Sequence, residues 1–166
     1  MNVFFSVPLL FLVAIFEVGL QPHLTMLNAT PDFMLLTVSL WSLMQGPTEG
    51  ALWALAGSFF LALFSGGPPL VLIIALVPVA LVSSAGRSIV YGERLILPLS
   101  VVFVASLLYG LEIFFLLKLT GWHGNLSLTF EHRMLPNAVY NALMALVLYP
   151  IFRQVHSAVS RERLEL

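Results

Sequence analysis

No cysteine occurs among the 166 residues. That excludes disulfides, thiolate metal sites and a cysteine nucleophile, and it leaves the compartment open. Charge is scarce: Asp, Glu, Lys and Arg make up 9% of the chain, against roughly 25% in a soluble domain. So little polar surface cannot cover a water-exposed globule, and the chain reads as an integral membrane protein. The net charge of −1 leaves no basic face, so nucleic acid is not an expected partner. No Lys or Arg precedes Arg87. The apolar N-terminal stretch therefore lacks a basic flank, and no small-x-small cleavage site follows it. It reads as an uncleaved first span rather than a signal peptide. Phosphate loops, nucleotide fingerprints and paired catalytic carboxylates are also missing, so neither an enzyme nor a cofactor is expected.

What the chain has is apolar length. Hydrophobic residues are 60% of it and the mean hydropathy is +1.00. A bilayer core of about 30 Å takes about 20 helical residues, fewer where the membrane thins. Breaker clusters divide the sequence into six spans over 3–20, 31–44, 47–64, 70–85, 95–119 and 135–152, with a charged tail over 153–166. The fold class expected is all-α, one polytopic membrane domain built as a six-helix bundle. Thr30, Pro31 and Asp32 read as N-cap, first helical position and first turn of span two. Spans two and three are short and joined at Gln45-Gly46-Pro47. They fit two full crossings, the preferred reading, or a re-entrant hairpin. Glu49 falls in the first turn of span three, where the helix dipole favours it. Six crossings put both termini on one side. That side holds Arg87, Arg94, Arg153, Arg161 and Arg163, the other only Lys118 and Arg133, so both termini are expected in the cytoplasm.

Within GPTEGALWALAGSFFLALFSGGPP, every fourth residue is small: Gly46, Gly50, Ala54, Ser58, Ala62 and Gly66. Residues four apart stack on one side of a helix. In lipid, where apolar side chains gain little by leaving the acyl chains, such a ridge lets another backbone approach. It is the candidate partner-binding surface, and the other helices are read as arranged around span three.

Glu17 and Glu112 are carboxylates inside apolar segments. They are functional candidates by position, or else they snorkel to the interface or pair with Lys118, Arg133 or His132. Asn137 and Asn141, four apart, share a face and are read, with Glu112, as interhelical polar contacts. His23, His123 and His132 lie in outer loops without metal-ligand spacing. His23, Asp32 and Ser127 could be named as a triad, but no nucleophile elbow surrounds a serine. Asn28-Ala29-Thr30 and Asn125-Leu126-Ser127 fit the glycosylation sequon, a pattern short enough to arise by chance. In the tail, Phe152, Val155 and Val159 keep helical spacing, which fits a helix continuing along the membrane surface.

The length, the six spans, the QGPTEGALWALAGSFFLALFSGGPP block and the closing MLPNAVYNALMALVLYPIFRQV together resemble the MreD family of bacterial rod shape-determining proteins. The family's Gly-x-x-x-Gly turn and Ser-Gly-Gly end match Gly46, Gly50, Ser65, Gly66 and Gly67. The prolines and asparagine of its last span match Pro136, Asn141 and Pro150. Many members carry an acid late in span three, where this chain has Ala62, so no role of that acid transfers. The resemblance implies a non-enzymatic scaffold of the cell-elongation machinery in the inner membrane, supporting lateral peptidoglycan synthesis. The partners it implies are an MreC-like bitopic protein, a RodA-type glycosyltransferase, a class B penicillin-binding transpeptidase and, inside the cell, MreB filaments, with membrane lipid around them. It also implies a fold similar to the substrate-binding subunits of vitamin transporters. A small-molecule carrier subunit, drawing on Glu17, Glu112 and the loop around Trp122, is the alternative function.

Overall fold

The computed structural model describes residues 3–25, 29–66, 68–89 and 96–162. The Asn28 sequon, Gly67, Tyr91 to Arg94 of the charged loop, and Arg163 lie outside the described residues. Those described form α1 (Val3–Leu20), a short 3-10 turn (Gln21–His23), α2 (Phe33–Gln45), α3 (Pro47–Ser65), α4 (Pro69–Ala85), α5 (Ile96–Leu119), a single α turn α6 (Leu126–Thr129) running through a π turn (Phe130–Met134) into α7 (Leu135–Glu162). No strand is present among the described residues, and the all-α fold class stands.

Successive long helices run antiparallel. Glu17, near the end of α1, bonds to Phe33 at the start of α2. At the opposite end the rings of Phe5 and Trp41 lie 5.9 Å apart. Arg87, just past α4, donates to the Gln45 carbonyl at 3.0 Å. The His156 ring of α7 sits edge-on to Trp41 at 5.9 Å. Phe5, Trp41, Gln45, Arg87 and His156 therefore mark one end of the bundle, and Glu17 and Phe33 mark the far end. α2 runs the distance between them beside α1.

The helix at the centre is α2, not α3. It touches α1, α3, α4, α5 and α7, and every residue from Met34 to Leu43 is buried. Its 13 residues reach about 20 Å at 1.5 Å per residue, short of the bilayer core. Only α3, α5 and the stretch Leu126–Ser157 are long and apolar enough by themselves to cross, among the described residues. A helix walled in by protein meets no lipid along its length, so it can be short provided its ends are satisfied by protein groups.

The turns follow from their residues. Gly46 takes φ 97°, a left-handed value that strains any side chain, and donates to the Ser42 carbonyl at 2.8 Å. Pro47 then opens α3, needing no N–H partner. Gly66 closes α3 in the left-handed region at φ 66°, donating to the Ala62 carbonyl at 3.2 Å.

The bounds of two spans differ most from those the sequence suggests. α2 begins at Phe33, two residues late, because the Asp32 side chain accepts from Leu35 N–H and makes Asp32 the N-cap. The last span starts earlier and ends later than 135–152. Asn125 caps α6 by accepting from Ser127 N–H at 3.0 Å. The π turn precedes Pro136, where a regular helix would miss one backbone bond. At the other end, Phe152 and Val155 pack against the core, and the Val159 side chain lies outside those described.

Candidate functional site

The far end of the bundle gathers buried Glu17, Ser106 and Asn141 around the start of α2. A helix start leaves four backbone N–H groups without intrahelical partners. In a bilayer no water reaches them. Here side chains take all four. Asp32 N–H donates to Asn141 Oδ1 at 2.9 Å, from α7. Phe33 N–H and Met34 N–H donate to Glu17 Oε2 at 2.6 and 3.2 Å, from α1. Leu35 N–H donates to Asp32 Oδ1 at 2.8 Å.

The ring of contacts extends outward. Gln21 Nε2 donates to Glu17 Oε1 at 2.9 Å and to the Pro31 carbonyl at 3.3 Å. Thr30 N–H donates to Asn137 Oδ1 at 3.0 Å. Asn141 Nδ2 donates to Ser106 Oγ at 3.1 Å, bringing in α5. Glu17 and Asn141 are 4% and 2% exposed, so these bonds form in a low dielectric, where losing one is costly. Asn137 and Asn141 thus join α7 to the entry of α2, and Asn141 also joins α7 to α5.

Glu17 is buried and pairs with no cation among the described residues: its carboxylate anchors α2. Glu112 does not join this network. Its Oε2 is buried with no partner among the described residues, so the interhelical contact read for it is not made there. Glu112 sits more than a full turn along α5 from Ser106, the partner of Asn141. The loop histidines stay apart, and no group of three His, Asp or Glu among the described residues is placed to hold a metal. His132 Nδ1 lies 3.1 Å from the Leu128 carbonyl of its own helix. Asp32 is engaged as a helix cap and Ser127 is exposed on α6.

Beside this network lies a cavity of about 570 Å³ between Gln21, the entry of α2 at Thr30 and Asp32, α5 and the α6–α7 entry. Asp32, Tyr109 and Asn137 give its polar wall, and Ile113, Phe114 and Met134 its apolar wall. Trp122 and Arg133 line it from exposed positions. Sequence reasoning reached Trp122 but missed the cavity, because the α6 and π segments that form one side read as a polar loop.

The small-residue ridge is filled by the chain's own helices. Ala54 and Ser58 are fully buried and Ala62 nearly so, at 7%. A Cβ on Gly50 would come within 2.7 Å of Ser42 Cβ on α2. On Gly57, beside the ridge, it would come within 2.6 Å of the Met34 sulfur. A Cβ on Gly46 would meet the Arg87 guanidinium at 2.7 Å. Gly66 alone of the six is exposed, with nothing within 4 Å of its Cβ position. The place read for a partner's helix is therefore occupied by α2 and its neighbours. The reason is geometric: α2 is the backbone that approaches closely, and the flat side of α3 receives it. Leu55, Phe59 and Leu63 form the outward side of α3, at 44%, 53% and 62% exposure.

The family model described as rod shape-determining protein MreD matches residues 1–158 of the chain. Neither the curated proteins nor the solved structures give a match. The chain belongs to the MreD family.

Proposed function

From that membership, we propose that this chain serves rod-shape determination as a non-enzymatic scaffold in the bacterial inner membrane, with both termini in the cytoplasm. It holds an MreC-like bitopic protein and, through the larger complex, a RodA-type glycosyltransferase and a class B penicillin-binding transpeptidase, and so supports lateral peptidoglycan synthesis. The observation that carries the scaffold reading is the use of the polar interior. Glu17, Asp32, Asn137, Asn141 and Ser106 fasten helices to one another. The carrier alternative drew on Glu17, whose carboxylate is engaged by the α2 backbone.

Since α2 occupies the ridge, a partner's transmembrane helix meets an outward face. A photo-crosslinking residue placed singly at Leu55, Phe59 and Leu63 of α3, Phe115 of α5, and Leu143 and Val147 of α7, all exposed, tests this in growing cells. The scaffold reading predicts cross-links to one bitopic partner, concentrated on one of these faces. Cross-links to lipid alone at every position, in cells that keep their rod shape, would refute it.

A further inference from the structure

We propose that the far-end cavity is a binding site for an uncharged ligand head that carries hydroxyl or amide groups and has an apolar flank. This goes beyond the scaffold reading and does not depend on it. The cavity volume of about 570 Å³ falls within the usual range for small-molecule sites. Its lining mixes hydrogen-bonding groups with aliphatic and aromatic carbon, as such sites do.

The hydrogen-bonding side offers both donors and acceptors. Asn137 uses its Oδ1 on Thr30 N–H, and its Nδ2 has no partner among the described residues. Asp32 uses Oδ1 on Leu35 N–H, which leaves Oδ2 as an acceptor. The Tyr109 hydroxyl, on the same wall, can do either. A ligand meeting this set must itself donate and accept, which hydroxyls and amides do. Charge of either sign is disfavoured. An anion would face the Asp32 carboxylate, and a cation would face Arg133, which has no ion pair among the described residues. The flank is set by Phe114 and Trp122, whose rings meet edge-to-face with centroids 5.7 Å apart. Trp122 is 44% exposed, which places an amphipathic ring at the rim, where a headgroup-level ligand would enter.

The same chemistry is found on a water-soluble polyol and on the head of a neutral glycolipid, and the test separates them. The full chain in phosphatidylcholine nanodiscs is titrated with octyl glucoside below its micelle-forming concentration, with methyl glucoside, and with octyl phosphate and octyltrimethylammonium as charged comparators. Tryptophan emission is read. The chain has three tryptophans, and Trp41 and Trp53 stack together at the other end of the bundle, 4.2 Å apart. A Trp122→Phe chain is therefore the blank.

The proposal predicts a saturable emission shift with octyl glucoside that is lost in Trp122→Phe. Tyr109→Phe, which removes one hydroxyl, should weaken binding about fivefold to tenfold. Ile113→Phe, which adds bulk to the apolar wall, should weaken it further, and both variants should keep the wild-type helical circular dichroism. Equal affinity for methyl glucoside would support the site with a water-soluble ligand. Binding of octyl glucoside alone would support it with a lipid-borne one. No saturable shift with either glycoside, or an equal shift with the charged amphiphiles, would overturn it.

Discussion

Replacing Glu17 by alanine should be among the most damaging single changes in the chain, although the residue sits one turn from the end of an apolar helix. Its Oε2 accepts from Phe33 and Met34 N–H at 2.6 and 3.2 Å, and its Oε1 from Gln21 Nε2 at 2.9 Å. Alanine removes both acceptor oxygens, and with them all three bonds, and leaves two backbone donors facing protein. An unpaired buried donor costs about 1–3 kcal/mol. With partial relaxation, the two together give a loss of about 2–5 kcal/mol. Glutamine keeps one carbonyl oxygen for the helix start and loses the charge, so about 1–2 kcal/mol is expected. The exposed Glu131 is the comparison, and Glu131→Ala should stay within about 0.5 kcal/mol of wild type. The assay is reversible unfolding in mixed micelles, followed by far-ultraviolet circular dichroism. If Glu17→Ala loses no more than Glu131→Ala, Glu17 does not hold α2 and the reasoning fails.

Further outcomes follow from the same geometry. Asn141→Ala should cost about 2–4 kcal/mol, because it frees Asp32 N–H and Ser106 Oγ together. A double-mutant cycle with Ser106→Ala should show coupling of about 0.5–1 kcal/mol, and additivity would mean the Asn141–Ser106 bond contributes nothing. Asn125→Ala removes the cap of α6, at about 1 kcal/mol. Its mark should be faster amide hydrogen exchange from Leu126 to Thr129, with global unfolding little changed.

The sequence made the helices legible because the breakers that separate them act locally. Gly46-Pro47 and Gly66 stand at turns whose backbone only glycine adopts easily, and the ends of α3 follow directly. The asparagine pair was legible as well, since its spacing of four puts both on one face of α7. What each asparagine grips was not legible, because Thr30 and Asp32 lie more than a hundred residues earlier. Glu17 misled for a related reason. Its partners are backbone groups of the next helix, and backbone donors leave no trace in a side-chain pattern. The ridge on α3 showed that a backbone approaches closely there, but spacing alone does not say whose. The approach of Ser42 to Gly50 identifies α2 there, a pairing between helices that spacing within one helix does not reveal.

The most direct measurement is the stability of the isolated chain, with no partner present, carrying Gly50→Ala, alone and combined with Ser42→Gly. The added methyl would press on Ser42 Cβ, at 2.7 Å, and overpacking of this kind costs about 1–3 kcal/mol. Internal packing of α3 on α2 predicts a loss in that range for Gly50→Ala, partly recovered when Ser42 becomes glycine. Unchanged stability of the isolated Gly50→Ala chain, together with lost capture of its membrane partner, would contradict it.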